Sequence, residues 1–459
     1  MKKLKVLNPF DQTEIGSVEL LGEENIERLL SRAYSLHKNQ SNKIPTHKRI
    51  KILKNVAHLM SKEFEQLALL IASEGGKPLI DARIEVARAI DGVETCAHDL
   101  SNIIGKEIPM GLTQSGANKT AFSIREPIGP VVAVSAFNHP LNLIVHQVAP
   151  AIAVGCPVIV KPADDTPLCC QKFVKLLFEA GLPEEWVSFA PCEIPVAEKL
   201  VTDPRVAFFS FIGSAKVGWY LKSKLAPGTR FALEHGGAAP VIVCPSADID
   251  DMLPKLIKGG FYHSGQVCVS VQRVFVVDGS ARALAEKLSL SAEKLVVGNA
   301  TDESTQCGPL IRPREVDRVM NWVDEAVGFG AEALCGGIKL SNTTYAPTVL
   351  LNPDQSQKVS TSEIFGPVIC IYDCKSNEEA ILRANSLDFA FQSAVFSNDL
   401  KESMFFFKNL DSSAVMFNDH TAFRVDWMPF AGRRQSGYGI GGIGYTMEDM
   451  TQVKMAVIG

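Results

Sequence analysis

The sequence reads as an α/β protein with doubly wound, mainly parallel sheets, and three features lead there. Short runs that are apolar throughout, such as Val131-Val132-Ala133-Val134, suit strands buried on both faces of a parallel sheet. Segments with helical spacing lie between those runs, and Gly or Pro punctuates the junctions. The 459 residues are also enough for two or three domains, each with its own core.

Taken in order, Ile50, Leu53, Ala57, Met60, Phe64, Leu67 and Ile71 step by three and four, which predicts one helix capped by Thr46 and ended at Gly75-Gly76. After Gly129-Pro130, strands are expected at 131–134, 157–160, 206–212 and 240–243, with helices at 167–180 and 215–225 between them. A second α/β region follows, with a strand at 271–277, a helix at 281–290 and strands near 368–372 and 414–417. No repeat or low-complexity segment separates the two regions, so the boundary near Gly236-Gly237 rests on motifs rather than on a visible linker.

Composition narrows the function classes. A net charge of −5 with 46% hydrophobic and 21% charged residues offers no basic footprint for nucleic acid. Met1-Lys2-Lys3-Leu4-Lys5 reaches Asn8-Pro9 without an apolar core, unlike a signal peptide. The longest apolar stretch, 148–160, is cut by Pro150, Gly155 and Pro157 and is too short to span a bilayer. Eleven cysteines, an odd number, read as reduced thiols, and a cytoplasmic protein is expected. Neither HExxH nor CxxC occurs, so no metal is expected. Gly439 to Gly444 fits the glycine spacing of a dinucleotide fingerprint, but too little chain follows for a βαβ unit, and a structural turn is expected there.

Cys268 in Gly265-Gln266-Val267-Cys268 would by itself be an inert core thiol. Its company argues otherwise. Leu233-Glu234-His235-Gly236-Gly237 puts a carboxylate at the end of an apolar segment beside glycines that allow close approach. Phe137-Asn138-His139-Pro140 puts an amide just past a buried strand, where α/β sheets collect ligands.

Together these motifs resemble the aldehyde dehydrogenase superfamily over nearly the whole chain. Ala136 to Pro140 is similar to its oxyanion-asparagine motif, Val160 to Pro167 to its cofactor-ribose motif, and Phe211 to Gly218 to its glycine turn under the pyrophosphate. Leu233 to Gly237 is similar to the general-base motif, Gly265 to Cys268 to the nucleophile motif, Glu363-Ile364-Phe365-Gly366-Pro367 to the nicotinamide-ribose motif, and Pro429 to Gly432 with Ser436-Gly437 to the C-terminal signature. Asp164 stands where a Glu is usual, His235 replaces a Leu, Ala238 a Lys and Ala431 a Gly. The resemblance implies an aldehyde dehydrogenase-like fold: a cofactor-binding domain at 1–104 and 128–236, a catalytic domain at 237–438, and a β bridging element at 105–127 and 439–459 that makes a homodimer or homotetramer. A hairpin near 106–125 joined by the C-terminal strand would form that element, and 120–124 does read as a strand.

The resemblance also implies roles. Cys268 would be the nucleophile, Asn138 with the Cys268 backbone N–H the oxyanion hole, and Glu234 the base that activates water against a thioester. Lys161, Asp164, Gly213, Ser214, Glu363 and Phe365 would bind NAD or NADP. A carboxylate at 164 favours NAD, although Asp is one methylene shorter than the usual Glu. Asn418 is expected to be structural. CoA-acylating dehydrogenases and redox-free cysteine thioesterases or acyltransferases are the alternatives; Glu234 argues against the first and the cofactor motifs against the second. Finally, Arg424-Val425-Asp426-Trp427-Met428-Pro429 resembles the branch acting on lactaldehyde and phosphonoacetaldehyde. Arg424 could clamp a substrate anion with its planar fork, or it could simply pair with Asp426.

Overall fold

The computed structural model describes residues 2–277 and 279–459. The apolar runs form strands in two large sheets. The first has the order Gly437–Tyr438, Arg230–Glu234, Phe208–Ile212, Val131–Val134, Val158–Lys161, Val187–Phe189. Its strands are parallel except Gly437–Tyr438, which runs antiparallel along the Glu234 edge. Alternate side chains serve opposite faces: Val131 and Ala133 enter the core under helices Thr46–Lys62, Leu79–Asp99 and Asn142–Val154, whereas Val132 enters the core under helix Glu23–Lys38. The chain leaves Val131–Val134 to one side for Val158–Lys161 and comes back on the other side for Phe208–Ile212. That reversal opens a crevice at the carboxyl ends of the strands, where open α/β sheets bind ligands.

The second sheet has the order Glu332–Cys335, Thr348–Leu351, Val368–Cys374, Val271–Val277, Ala239–Val243, Gln392–Phe396, Ala414–Phe417, and only Glu332–Cys335 is antiparallel. Helices Ile249–Phe261 and Ala281–Ala292 cover one face, and Pro313–Gly328, Asn377–Ala384 and Leu400–Asn409 the other. A separate antiparallel sheet joins Glu107–Ile108, Thr120–Pro127 and Thr451–Ile458. No described helix is long and apolar enough to cross a membrane.

The sequence-derived helix across residues 46–75 is two helices, Thr46–Lys62 and Phe64–Gly75, broken at Glu63. The apolar period runs through the break, so periodicity alone does not reveal it. Gly76 ends the second helix in a left-handed conformation, as expected. Thr46 is the first helical residue rather than the cap; its hydroxyl accepts from Arg49 Nη2 instead. Gly439 to Gly442 form a turn that pairs Gly441 with Phe430.

Candidate active site

The crevice continues into a cavity of about 600 Å³ between the two sheets. Asn138, Lys161, Gly213, Ser214 and Glu234 line it from the first sheet, and Cys268, Glu363, Phe365 and Arg424 from the second half of the chain.

Cys268 follows a turn in which His263, Ser264 and Gly265 all have positive φ, at 46°, 56° and 71°. Only glycine fits the last position, because a Cβ there would lie 2.1 Å from the Gly366 carbonyl oxygen. The Gln266 side chain pins the turn from within, with Oε1 accepting from Ile311 N–H at 2.9 Å and Nε2 donating to the His263 and Pro309 carbonyls. Of the eleven cysteines, Cys268 alone is not fully buried. Burial pushes its thiol up to about 12; the Glu363 and Glu234 carboxylates add to that, and the Arg424 charge opposes it.

Asn138 lies just past strand Val131–Val134 and donates from Nδ2 to the Gln266 carbonyl at 2.9 Å, which ties it to the cysteine turn. Its own turn is anchored from below. Leu141 and Asn142 N–H, opening helix Asn142–Val154, donate to Glu85 Oε1 at 2.9 and 3.0 Å, and Glu85 pairs with Lys77, both fully buried. The Cys268 amide is bonded to no backbone carbonyl among the described residues. An Asn138 amide and a free N–H beside a thiol form a donor pair suited to an oxyanion.

Glu234 ends its strand, and its carbonyl accepts from Gly213 N–H at 3.1 Å. Burial raises its carboxyl, opposed by the Arg424 charge. Gly441 leaves the space Glu234 occupies, since a Cβ there would come within 2.4 Å of Oε1. His235 Nδ1 donates to the Gly213 carbonyl at 2.9 Å.

At the far end, Ser214 precedes the first residue of helix Ala215–Lys222 without a side-chain capping bond, and Lys161 pairs with Asp164, its ammonium also donating to the Pro162 carbonyl at 3.1 Å. Lys161 is only 8% exposed and Asp164 is the open side of the pair, and both line the cavity. Glu363 accepts from Gly237 N–H at 3.2 Å, and burial lifts its carboxyl to about 8. Phe365, at φ 49°, meets Phe137 edge to face. A cation with a carboxylate, the N–H groups of a helix start and a second carboxylate beside an aromatic wall fit the ribose, pyrophosphate and nicotinamide-ribose of a dinucleotide in turn.

Arg424 does not pair with Asp426. Asp426 is taken by Arg88 Nε and Nη2 at 3.1 and 2.8 Å, Asn142 Nδ2 at 3.0 Å and His146 Nε2 at 2.7 Å, which hold its carboxyl far below the usual range against burial. Arg424 instead lies over the Phe430 ring, 3.6 Å from its centroid, and its buried Nε has no hydrogen-bond partner among the described residues. Arg88 lines the same cavity. Arg88 and His146 escape a reading of the sequence, since their partner lies 338 and 280 residues away; the one local hint is the spacing of Asn142 and His146, one helical turn apart. The Asn418 amide bridges the Ser397 backbone at 2.9 and 3.0 Å, a structural role.

Comparison with known proteins gives the family and the fold. The description of the aldehyde dehydrogenase family matches residues 1–456. A 3-sulfolactaldehyde dehydrogenase from Priestia aryabhattai is 34% identical over 458 residues, covering 100% of this chain and 95% of that protein. Aldehyde dehydrogenase 21 from Physcomitrella patens, solved with the reaction product succinate, superposes with a TM-score of 0.96 at 33% identity, covering 100% and 95% of the two chains. The glyceraldehyde-3-phosphate dehydrogenase GapN from Methanocaldococcus jannaschii, solved with NADP, gives a TM-score of 0.94 at 34% identity, covering 99% and 98%.

Proposed function

Because this chain belongs to the aldehyde dehydrogenase family, we propose that its cavity oxidises a small anionic or hydroxylated aldehyde to the carboxylic acid through Cys268. The observation that carries this reading is the convergence of Cys268, Asn138 and Glu234 on one cavity that also holds Arg424, which has no carboxylate at hydrogen-bond distance among the described residues. The sulfolactaldehyde named for one relative carries a sulfonate and the succinate bound to another a second carboxylate, both anions that a guanidinium recognises.

The dinucleotide, when bound, supplies the hydride acceptor, and Lys161, Asp164, Gly213, Ser214, Glu363 and Phe365 would hold it. The Cys268 sulfur adds to the aldehyde carbon, and the oxygen that becomes an alkoxide meets Asn138 Nδ2 and the Cys268 N–H, at about 3 to 4 kcal/mol per donor. A thiol raised by burial needs positive charge nearby to ionise, which Arg424 supplies, and its proton passes to solvent, so Glu234 stays free for the later step. Once the carbon stands at the oxidation level of a thioester on Cys268, Glu234 takes a proton from the attacking water. The acid leaves and the thiol is restored. Both cofactors are accepted on this reading, with NAD favoured by the Asp164 carboxylate.

The reading also divides the chain into cofactor-binding residues 1–104 and 128–236, catalytic residues 237–438, and a bridging element at 105–127 and 439–459 that joins two or four copies. Absorbance of reduced nicotinamide, with propanal, lactaldehyde and succinic semialdehyde and with or without CoA, tests the chemistry. Turnover by the wild type without CoA, lost in Cys268→Ala with cofactor binding retained, supports it. An absolute need for CoA would replace water by CoA as acyl acceptor, and no reduction with any aldehyde would remove the redox reading.

A further inference from the structure

An arginine that is to bind a substrate anion must be held in place without being neutralised. A carboxylate partner would hold Arg424 but cancel its charge, and the carboxylate closest in sequence, Asp426, is already committed to Arg88, Asn142 and His146. What holds Arg424 is the Phe430 ring beneath it and a contact from Nη2 to His146 Nδ1 at 3.4 Å.

The partners of His146 dictate its protonation pattern. Asp426 only accepts, so His146 Nε2, 2.7 Å from Oδ1, carries the proton. Arginine only donates, so Nδ1 must offer its lone pair. These two neighbours therefore select the neutral Nε2–H tautomer, and His146, 5% exposed, is shielded from water that could disturb it. Its place is set by helix Asn142–Val154, where Asn142 and His146 stand one turn apart and both reach Asp426.

We propose that His146 is a positioning residue: oriented by Asp426, it presents a neutral acceptor to Arg424 and so keeps the guanidinium both fixed and charged for a substrate anion. This rests on the anionic-substrate reading above. Without the imidazole, Asp426 Oδ1 loses a donor and Arg424 loses its acceptor, and the arginine can turn onto Asp426 and be neutralised.

The test compares kcat and KM for succinic semialdehyde and for butanal in the wild type and in His146→Leu, His146→Asn and Arg424→Gln. Leu removes the acceptor; Asn places an amide oxygen near the position of Nδ1. His146→Leu should raise KM for succinic semialdehyde about tenfold relative to KM for butanal, with kcat little changed, and His146→Asn should recover most of that selectivity. Equal losses on the two aldehydes, or an Asn variant as unselective as Arg424→Gln, overturn the proposal; the second criterion holds even if the Leu variant does not fold. If Arg424→Gln abolishes the selectivity and His146→Leu leaves it intact, only the role of His146 falls. If Arg424→Gln also leaves it intact, the anionic-substrate reading falls with it.

Discussion

Glu234 carries a carboxyl raised by burial, with the Arg424 charge as the opposing influence. A general base works deprotonated, so kcat should fall as pH drops through a value above the ordinary carboxylate range, and stay level above it. Arg424→Gln removes the opposing charge, so with a neutral aldehyde the acid limb of the kcat profile should move to higher pH. An unmoved limb would mean that another group sets it. On the proposed reading, cofactor choice turns on Asp164. Its charge is partly matched by Lys161, so it repels a 2′-phosphate less than a free carboxylate would. Asp164→Ala should raise the ratio of kcat/KM for NADP over NAD by about tenfold, like-charge contacts across a binding interface being costly. A ratio that does not change would place the discrimination elsewhere.

Among the elements, the Asn138 turn depends on the buried Lys77 and Glu85 pair, since Glu85 caps the helix that follows it. Removing one partner of such a pair leaves an uncompensated charge, so Lys77→Met should destabilise by about 3 to 5 kcal/mol, read from the denaturant midpoint, and lower kcat through Asn138. A stable variant with full activity would contradict that anchoring. The strands were legible in the sequence because they are written as uninterrupted apolar runs: 131–134, buried in the middle of its sheet, matches the structure, and so does the half-buried edge strand 414–417. Helix ends were less so. The break at Glu63 lies inside a continuous apolar stripe, and helix 281–290 extends to Ala292. The residues quoted as motifs, Asn138, Glu234 and Cys268, come together in one cavity. What the sequence hides is the polar network behind Arg424, because Arg88, Asn142, His146 and Asp426 meet only after the chain has folded.

The whole molecule carries an apolar surface on its three-stranded sheet. Val453, Met455 and Val457 point to one face of the C-terminal strand and are 62%, 54% and 47% exposed. A patch of that kind marks an association surface, and the bridging element proposed for 105–127 and 439–459 includes it. On that proposal the wild type should sediment as a dimer or tetramer and Val453→Lys with Met455→Lys as a monomer in sedimentation velocity; a variant that sediments like the wild type would place the interface elsewhere. On the proposed mechanism, the two halves of the chain enclose a cysteine that carries the acyl group until Glu234 activates water. Rapid mixing of Glu234→Gln with cofactor and succinic semialdehyde tests it most directly. The variant should give a burst of about one equivalent of reduced nicotinamide per site, then a steady state slower than wild type by about 10² to 10⁴. A variant with no burst, whose first turnover is as slow as those that follow, would contradict it.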